Sequence, residues 1–514
     1  MTAATLNRRD DERAPVLLGG YAALAESEWM GIAQASDVLE PLHVGRRKRV
    51  TIPKLPRLRL KGLLTREFSI AEASFVLIVS FFFSAALGAV RQVLFSAQFG
   101  AGNEANAYYA AFRLPDTLFS LIAGGALSSA MIPVLLSTAR QEGKAASLRL
   151  VNLVMTTLVG VFALIVILGE LFTPAFVRTV LAPGFDAETS ALTVQLTRIM
   201  LLQPLILAVG SVATAVLNSK NQFLLTALSV ASHNVALLIG IVAANHWPEL
   251  GIYGPTYAVI GGAVLQVLIL LPGLLSGDFQ FRPRFELRDA RLREVIRLLI
   301  PNGLSVGVGY AGFILDTAYA SKAPETAGLA ALHNAWLLVG LPIALLGQAV
   351  GQSAFPRLAE QAAAAEWSAL RATLLRSLGA VIALAIPTVG GLLLLGRPTI
   401  RILFEHGRYD AAAGALTFSV LVAYSVALPA YVATEVISRG LIALRDTRTP
   451  LLTNTAQFIG RAALITALLG TLGVVAIPVA FAATATAETL LLGTVLSVKL
   501  IRRSRLPAPL AVPA

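Results

Sequence analysis

The stretch "FRLPDTLFSLIAGGALSSAMIPV" (112–134) has the length and apolarity of a membrane-crossing helix, yet it opens with Arg113 and Asp116, holds Pro115 and carries Gly124-Gly125 at its centre. A helix crossing about 30 Å of hydrocarbon needs about 20 mostly apolar residues. At that depth, proline and paired glycines are tolerated where neighbouring helices or water satisfy the freed backbone groups. The segment therefore reads as a span that faces other protein, with "AGGALSSA" as a packing or bending face. Arg113 either meets a partner or wet cavity inside the membrane or snorkels from the helix end.

The rest of the chain fits that solvent. Of its 514 residues 56% are hydrophobic and only 14% charged, against about 25% charged in a soluble domain. Apolar stretches fall near 70–95, 114–137, 151–176, 190–216, 223–245, 252–275, 296–320, 327–352, 372–395, 414–438, 451–470 and 473–498. They predict an all-α integral membrane protein of about 12 transmembrane helices.

The net charge of +12 is distributed by loop. Basic residues crowd into "GRRKRVTIPKLPRLRLKGLLTR" (45–66), "RPRFELRDARLREVIR" (282–297) and Lys499, Arg502, Arg503 and Arg505. Loops on one side of the predicted spans hold most of them, the positive-inside pattern, which puts both termini in the cytoplasm. Basicity then reports topology first and attraction to anionic membrane lipids second, and nucleic acid is not expected as a partner. The first 66 residues show no apolar core followed by a small-residue cleavage site, so the first span directs insertion. One loop departs from the pattern: "GRPTIRILFEHGRYD" (396–410) puts Arg397, Arg401 and Arg408 outside. It reads either as an interfacial helix offset by Glu405 and Asp410 or as an element contacting anions.

The chain also reads as two halves. "LFTPAFVRTVLAPGFD" (171–186) follows the third span and "LLGRPTIRILFEHGRYD" (394–410) the ninth; the turns "NSKNQF" (218–223) and "LRDTRTP" (444–450) come about as far behind each. This spacing divides the protein into a basic N-terminal extension (1–66), an N-lobe (67–276), a C-lobe (277–500) and a basic tail (501–514). Two six-helix lobes around a central cavity are an architecture of alternating-access transporters.

Ionisable residues inside apolar spans mark candidate sites. They are Arg91, Arg198, Asp316, Glu435, Arg439, Arg461 and Glu488. Arginine suits phosphate because its planar fork stays charged and bonds bidentately. Asp316, Glu435 and Glu488 read as counter-charges or as a coupling-ion site. The absence of cysteine removes disulfides and thiolate metal sites, and no P-loop, metal-binding or nucleophile motif is present. Neither an enzyme nor a cofactor is expected.

Together "ALGAVRQVLFSAQFGAGNEANAYYAAFRLPDTLFSLIAGGALSSAMIPV" (86–134), "LAPGFD" (181–186), "AVLNSKNQF" (215–223), "ILFEHGRYD" (402–410), "LPAYV" (428–432) and "ALRDTRTP" (443–450) resemble the MurJ/MviN family of the multidrug/oligosaccharidyl-lipid/polysaccharide exporter superfamily. The resemblance covers about 68–500. It implies a flippase that moves lipid II, a polyprenyl-pyrophosphate-linked peptidoglycan precursor, or a related lipid-linked glycan across the bacterial plasma membrane. It also implies that Arg91 falls on a family cavity arginine. Substrate contacts are expected at Arg91, Arg113, Arg198, Asn106 and Asp116. Other charged positions of the family pattern read Ala85, Asn106, Phe119, Gly124, Trp336 and Leu337 here, so the constellation is reduced. Well-known family members add two further spans beyond the twelve. The alternatives are a cation-coupled drug antiporter, which needs acids such as Asp316, Glu435 and Glu488 in the cavity, and a transport-inactive scaffold whose partners are cell-wall synthesis proteins.

Overall fold

The computed structural model describes residues 70–123, 126–276 and 279–504. The N-terminal extension, Gly124-Gly125 and residues 505–514 of the tail lie outside that set. Fifteen α-helices follow one another: α1 (Ile70–Phe99), α2 (Asn103–Ala123), α3 (Ala126–Gln141), α4 (Lys144–Phe176), α5 (Ala187–Met200), α6 (Leu202–Ser219), α7 (Phe223–His246), α8 (Tyr253–Leu275), α9 (Ala290–Lys322), α10 (Gly328–Ile343), α11 (Ala349–Ala363), α12 (Trp367–Leu403), α13 (Ala411–Ala443), α14 (Arg448–Leu472) and α15 (Ala476–Ser504). Among the described residues nine helical stretches are long and apolar enough to cross a membrane, against the twelve expected. The difference has local causes. One stretch, Arg448–Ser504, contains both α14 and α15. The other two expected stretches, 114–137 and 296–320, run across residues outside the described set, Gly124-Gly125 in the first and side chains between 301 and 308 in the second, and so do not enter the nine.

Prolines shape several helices. One turn after Pro174, α4 widens into a π-turn at Val177–Leu181, and shortly after Pro342, α10 does the same at Ala344–Gln348. An interior proline removes one ladder donor and crowds the preceding turn, which such widening relieves.

The helices turn at two ends. The proximal end lies near both limits of the described chain and carries the turns at 219–223 and 443–448; the distal end carries 182–186 and 404–410. The repeated motifs do the same work in both halves. At the distal end the Asp186 carboxylate accepts the N–H groups of Glu188 and Thr189 to cap α5, and Asp410 accepts that of Ala413 to cap α13. At the proximal end Asn221 and Arg445 both hold positive φ, 56° and 60°. In the atypical distal loop Arg397 pairs with Glu405 and Arg408 lies 3.7 Å from Glu104, whereas Asp410 is used as a cap.

Helix α9 connects the two halves of the chain. Its first turns bury Leu292 and Val295 in one core with Leu127, Met131 and Val151. Its second half buries Tyr310 and Phe313 in a larger core with Trp336, Tyr424 and Phe481. Apolar packing thus ties one end of α9 to the N-terminal helices and the other to the C-terminal ones.

Candidate functional site

The N- and C-terminal helices meet through a ladder of polar contacts that runs inward from the distal end. At the rim the Arg408 N–H donates to Ala97 O at 2.7 Å and the Gly184 N–H to Ser321 Oγ at 3.0 Å. Asn106 donates to Thr326 O. Gly407 and Gly184 admit these backbones because a Cβ on either would overlap Ala97 or Ser321.

One layer deeper the contacts are neutral. Gln92 Nε2 donates to Asn334 Oδ1 at 2.7 Å and to the Tyr109 hydroxyl at 2.6 Å, and Asn334 Nδ2 donates to Ser96 Oγ at 3.2 Å. Gln92, Ser96, Tyr109 and Asn334 are all buried, so the amides satisfy one another where water is excluded. His333 stacks on Tyr109 with ring centroids 4.4 Å apart.

Charges sit below this layer. Arg113 is 6% exposed, donates through Nε to Thr317 Oγ1 at 3.1 Å and lies over the Phe313 ring. Arg461 Nη2 reaches both oxygens of Asp316 at 2.5 Å, and its guanidinium lies 4.8 Å from the centroid of Phe481. Trp336 fills the space between, edge-on to Phe313, Tyr424 and Phe481. Asp116 and Asp316 both act electrostatically on Arg113. Arg113, Asp116, Asp316 and Arg461 therefore form a balanced quartet of two positive and two negative groups.

Arg91 has a different setting. Its Nη1 donates to Asn234 Oδ1 at 2.8 Å, and Asn234, fully buried on α7, is oriented in turn by Ser84 Oγ at 3.1 Å. Arg91 forms no ion pair within 4 Å among the described residues, and it lies near enough to His333 and Tyr108 to act on both electrostatically. Among the described residues it is thus a cation beside the ladder held by an amide alone.

The expected site residues separate into groups. Arg113, Asp116, Asn106 and Asp316 belong to the seam, and Arg91 flanks it. Arg198 does not: it points from α5 to α4, donating to Glu170 O at 2.7 Å and pairing with the Glu170 carboxylate at 3.3 Å, with its side chain 42% exposed. Its partner is Glu170 on α4, away from the seam. Glu435 is 3.9 Å from Arg439 one turn along α13. Glu488 on α15 is buried, accepts from Thr453 Oγ1 at 3.2 Å and has no basic partner within 4 Å among the described residues. Sequence reasoning missed Gln92, Asn234, Thr317 and Asn334. The available signal for two of them was an asparagine inside an otherwise apolar helix, as in "SHNVALL" and "LHNAWLL". No cluster among the described residues has the ligands to hold a metal ion.

Comparison with known proteins places this geometry. The family profile described as "Lipid II flippase MurJ" matches residues 95–506. The lipid II flippase MurJ of Burkholderia cenocepacia is 30% identical over 369 residues, 71% of each chain. The probable lipid II flippase MurJ of Rhizobium tropici is 29% identical, covering 71% of this chain and 69% of its own. Among solved structures, a lipid II flippase MurJ in an inward closed conformation superposes with a TM-score of 0.70 at 22% identity, covering 83% of this chain and 89% of that one. An inward-facing multidrug-resistance transporter of the MATE family superposes at 0.69 with 13% identity, covering 84% and 99%. At those identities the superpositions establish the fold.

Proposed function

The chain belongs to the MurJ lipid II flippase family, and from that premise we propose that it carries lipid II across the bacterial inner membrane by alternating access, with the distal end facing outward and both termini in the cytoplasm. In this state the outer side is shut by the ladder from Arg408–Ala97 down to Arg113–Thr317. The moving units are the two lobes, 67–276 and 277–500.

The observation that carries the reading is Arg91: a cation held by a neutral amide, with no ion-pair partner among the described residues, next to a seam that must part. A pyrophosphate supplies the missing negative charge, and charge-assisted hydrogen bonds of this kind contribute about 1.5–3 kcal/mol. Arg113 becomes available to substrate once the seam opens and Thr317 is withdrawn. Asn106 and Asp116 then act as seam residues, holding the outer rim and balancing Arg113.

Asp316 is committed to Arg461 and acts as its counter-charge. Glu488 is the acid left for coupling to a cation, because its carboxylate is buried with one hydroxyl donor. Catalysis of bond making or breaking forms no part of this reading; the work is translocation.

Complementation tests it: a bacterium depleted of its own lipid II flippase receives the native chain or the Arg91→Ala variant, with insertion checked for both. Growth with the native chain only is expected. Equal growth with both removes Arg91 from the mechanism, and failure of an inserted native chain removes lipid II as the substrate.

A further inference from the structure

The segment between α8 and α9 is irregular from 279 to 286, and it is fastened along the flank of α4. Phe279 is buried in the core that α4 shares with α3 and α6. The Asn152 side chain then grips the backbone at two points, donating to Gln280 O at 3.2 Å and accepting from the Arg282 N–H at 2.8 Å. One turn on, Thr156 Oγ1 accepts the Arg284 N–H at 3.2 Å. One turn further, Gly160 leaves room for the Phe285 ring, which would lie 3.2 Å from a Cβ at that position. Asn152, Thr156 and Gly160 thus form an i, i+4, i+8 stripe that matches the strap residue by residue. At 1.5 Å per residue the strap climbs about 12 Å along α4. It then turns back at 287–288, where Arg149 pairs with Glu286 and Asp289 caps α9.

Backbone that is neither helix nor sheet persists near a bilayer only where its polar groups are satisfied, and Asn152 and Thr156 supply three of those contacts. The strap's outer side is amphipathic. Phe281, Phe285 and Leu287 are 52, 65 and 55% exposed, and Phe285 stands at the start of the apolar face that α4 continues with exposed Val161, Leu164 and Ile167. Between them stand Arg282, Arg284 and Arg288. Arg282 meets only Gln280 Oε1, Arg284 lies 3.9 Å from Glu286, and Arg288 has no ion pair among the described residues. Arg149, Phe285, Leu287 and Arg288 also line an open cavity of about 610 Å³ at the turn.

We infer that this strap is a docking surface for anionic phospholipid headgroups, with Phe281, Phe285 and Leu287 in the acyl region and Arg282, Arg284 and Arg288 at the phosphate layer. The placement on the cytoplasmic leaflet rests on the orientation proposed above. A soluble protein partner fits poorly, because the apolar side chains continue into the face that α4 presents to lipid. Because the strap leads directly into α9, bound headgroups would hold the junction of the two halves at a fixed depth.

The chain has no cysteine, so single-cysteine reporters are unambiguous. The full-length protein carrying Leu287→Cys, labelled with an environment-sensitive fluorophore, is placed in vesicles of phosphatidylcholine with or without phosphatidylglycerol. Bound phosphatidylglycerol is counted by native mass spectrometry on the unlabelled protein. The expected result is an apolar emission at position 287 and preferential retention of phosphatidylglycerol. Retention should fall about fivefold per arginine removed in the R282Q/R284Q/R288Q variant, as expected for charges near an anionic surface. A water-like emission at 287, or equal retention by the triple variant, overturns the inference. A Glu249→Cys site probed from either side with an impermeant maleimide tests orientation separately: labelling from inside overturns the cytoplasmic placement and the proposed topology, while headgroup binding is judged on the other two readouts.

Discussion

Arg461 and Asp316, 145 residues apart, share one buried contact in which a single guanidinium nitrogen lies 2.5 Å from both carboxylate oxygens. Removing one member of such a pair leaves an uncompensated charge and costs about 3–5 kcal/mol, whereas replacing both with neutral groups costs far less. Arg461→Ala should therefore lower the thermal unfolding temperature of the detergent-solubilised protein much more than Asp316→Asn combined with Arg461→Gln. Equal losses for the single and double variants would show that the two residues do not act as a pair.

Arg91 and Asn234 should separate in kind. Arg91→Ala removes the cation and is expected to weaken lipid II binding by roughly 10- to 150-fold, the equivalent of one charge-assisted bond. Asn234→Ala leaves the charge but frees the guanidinium, so binding falls less, and Arg91→Lys retains part of it. Titration of purified protein with lipid II ranks the three, and an Asn234→Ala loss as deep as that of Arg91→Ala would assign the contact to the amide.

The distal seam depends on two glycines that admit backbone. Because a Cβ at Gly407 would overlap Ala97 O and one at Gly184 would overlap Ser321, alanine at either position should disfavour the closed rim. Gly407 also holds φ of +60°, which adds strain to any side chain. A Ser96→Cys reporter, fully buried in the closed seam, should react faster with maleimide in the Gly184→Ala and Gly407→Ala backgrounds. Unchanged reactivity in both would show that the rim closes without this fit.

Asp186 predicts a pH signature. The Thr189 N–H, then its hydroxyl, hold the Asp186 carboxyl below the usual carboxylate range, against a smaller opposing effect of burial. A pKa lower in the folded than in the unfolded protein gives stability that is fully present above the unfolded value, about 3.9, and is lost as pH falls through the folded value. The stability gap between the native chain and Asp186→Ala should thus be constant near neutrality and narrow below about pH 4. A gap that persists unchanged into strong acid would show that the cap does not depend on the charge.

The local part of this protein was legible in its sequence because each feature depends on neighbours a few residues away. Apolar length set the helices, and motif spacing paired the stretches 171–186 and 394–410 and the turns 218–223 and 444–450; within them Asp186 and Asp410 cap helices and Asn221 and Arg445 turn the chain with positive φ. Motif content also placed the chain in its family. The nine crossing stretches among the described residues are fewer than the twelve expected partly because α14 and α15 run together as one. The site was decided by tertiary structure. Whether an arginine in an apolar helix meets substrate, a carboxylate or an amide depends on which helix packs against it. That choice sent Arg198 to Glu170, Arg461 to Asp316 and Arg91 to Asn234. Burying a charge is costly unless it is paired, so the long-range packing that supplies partners to most of these groups is also what left Arg91 with only a neutral one among the described residues.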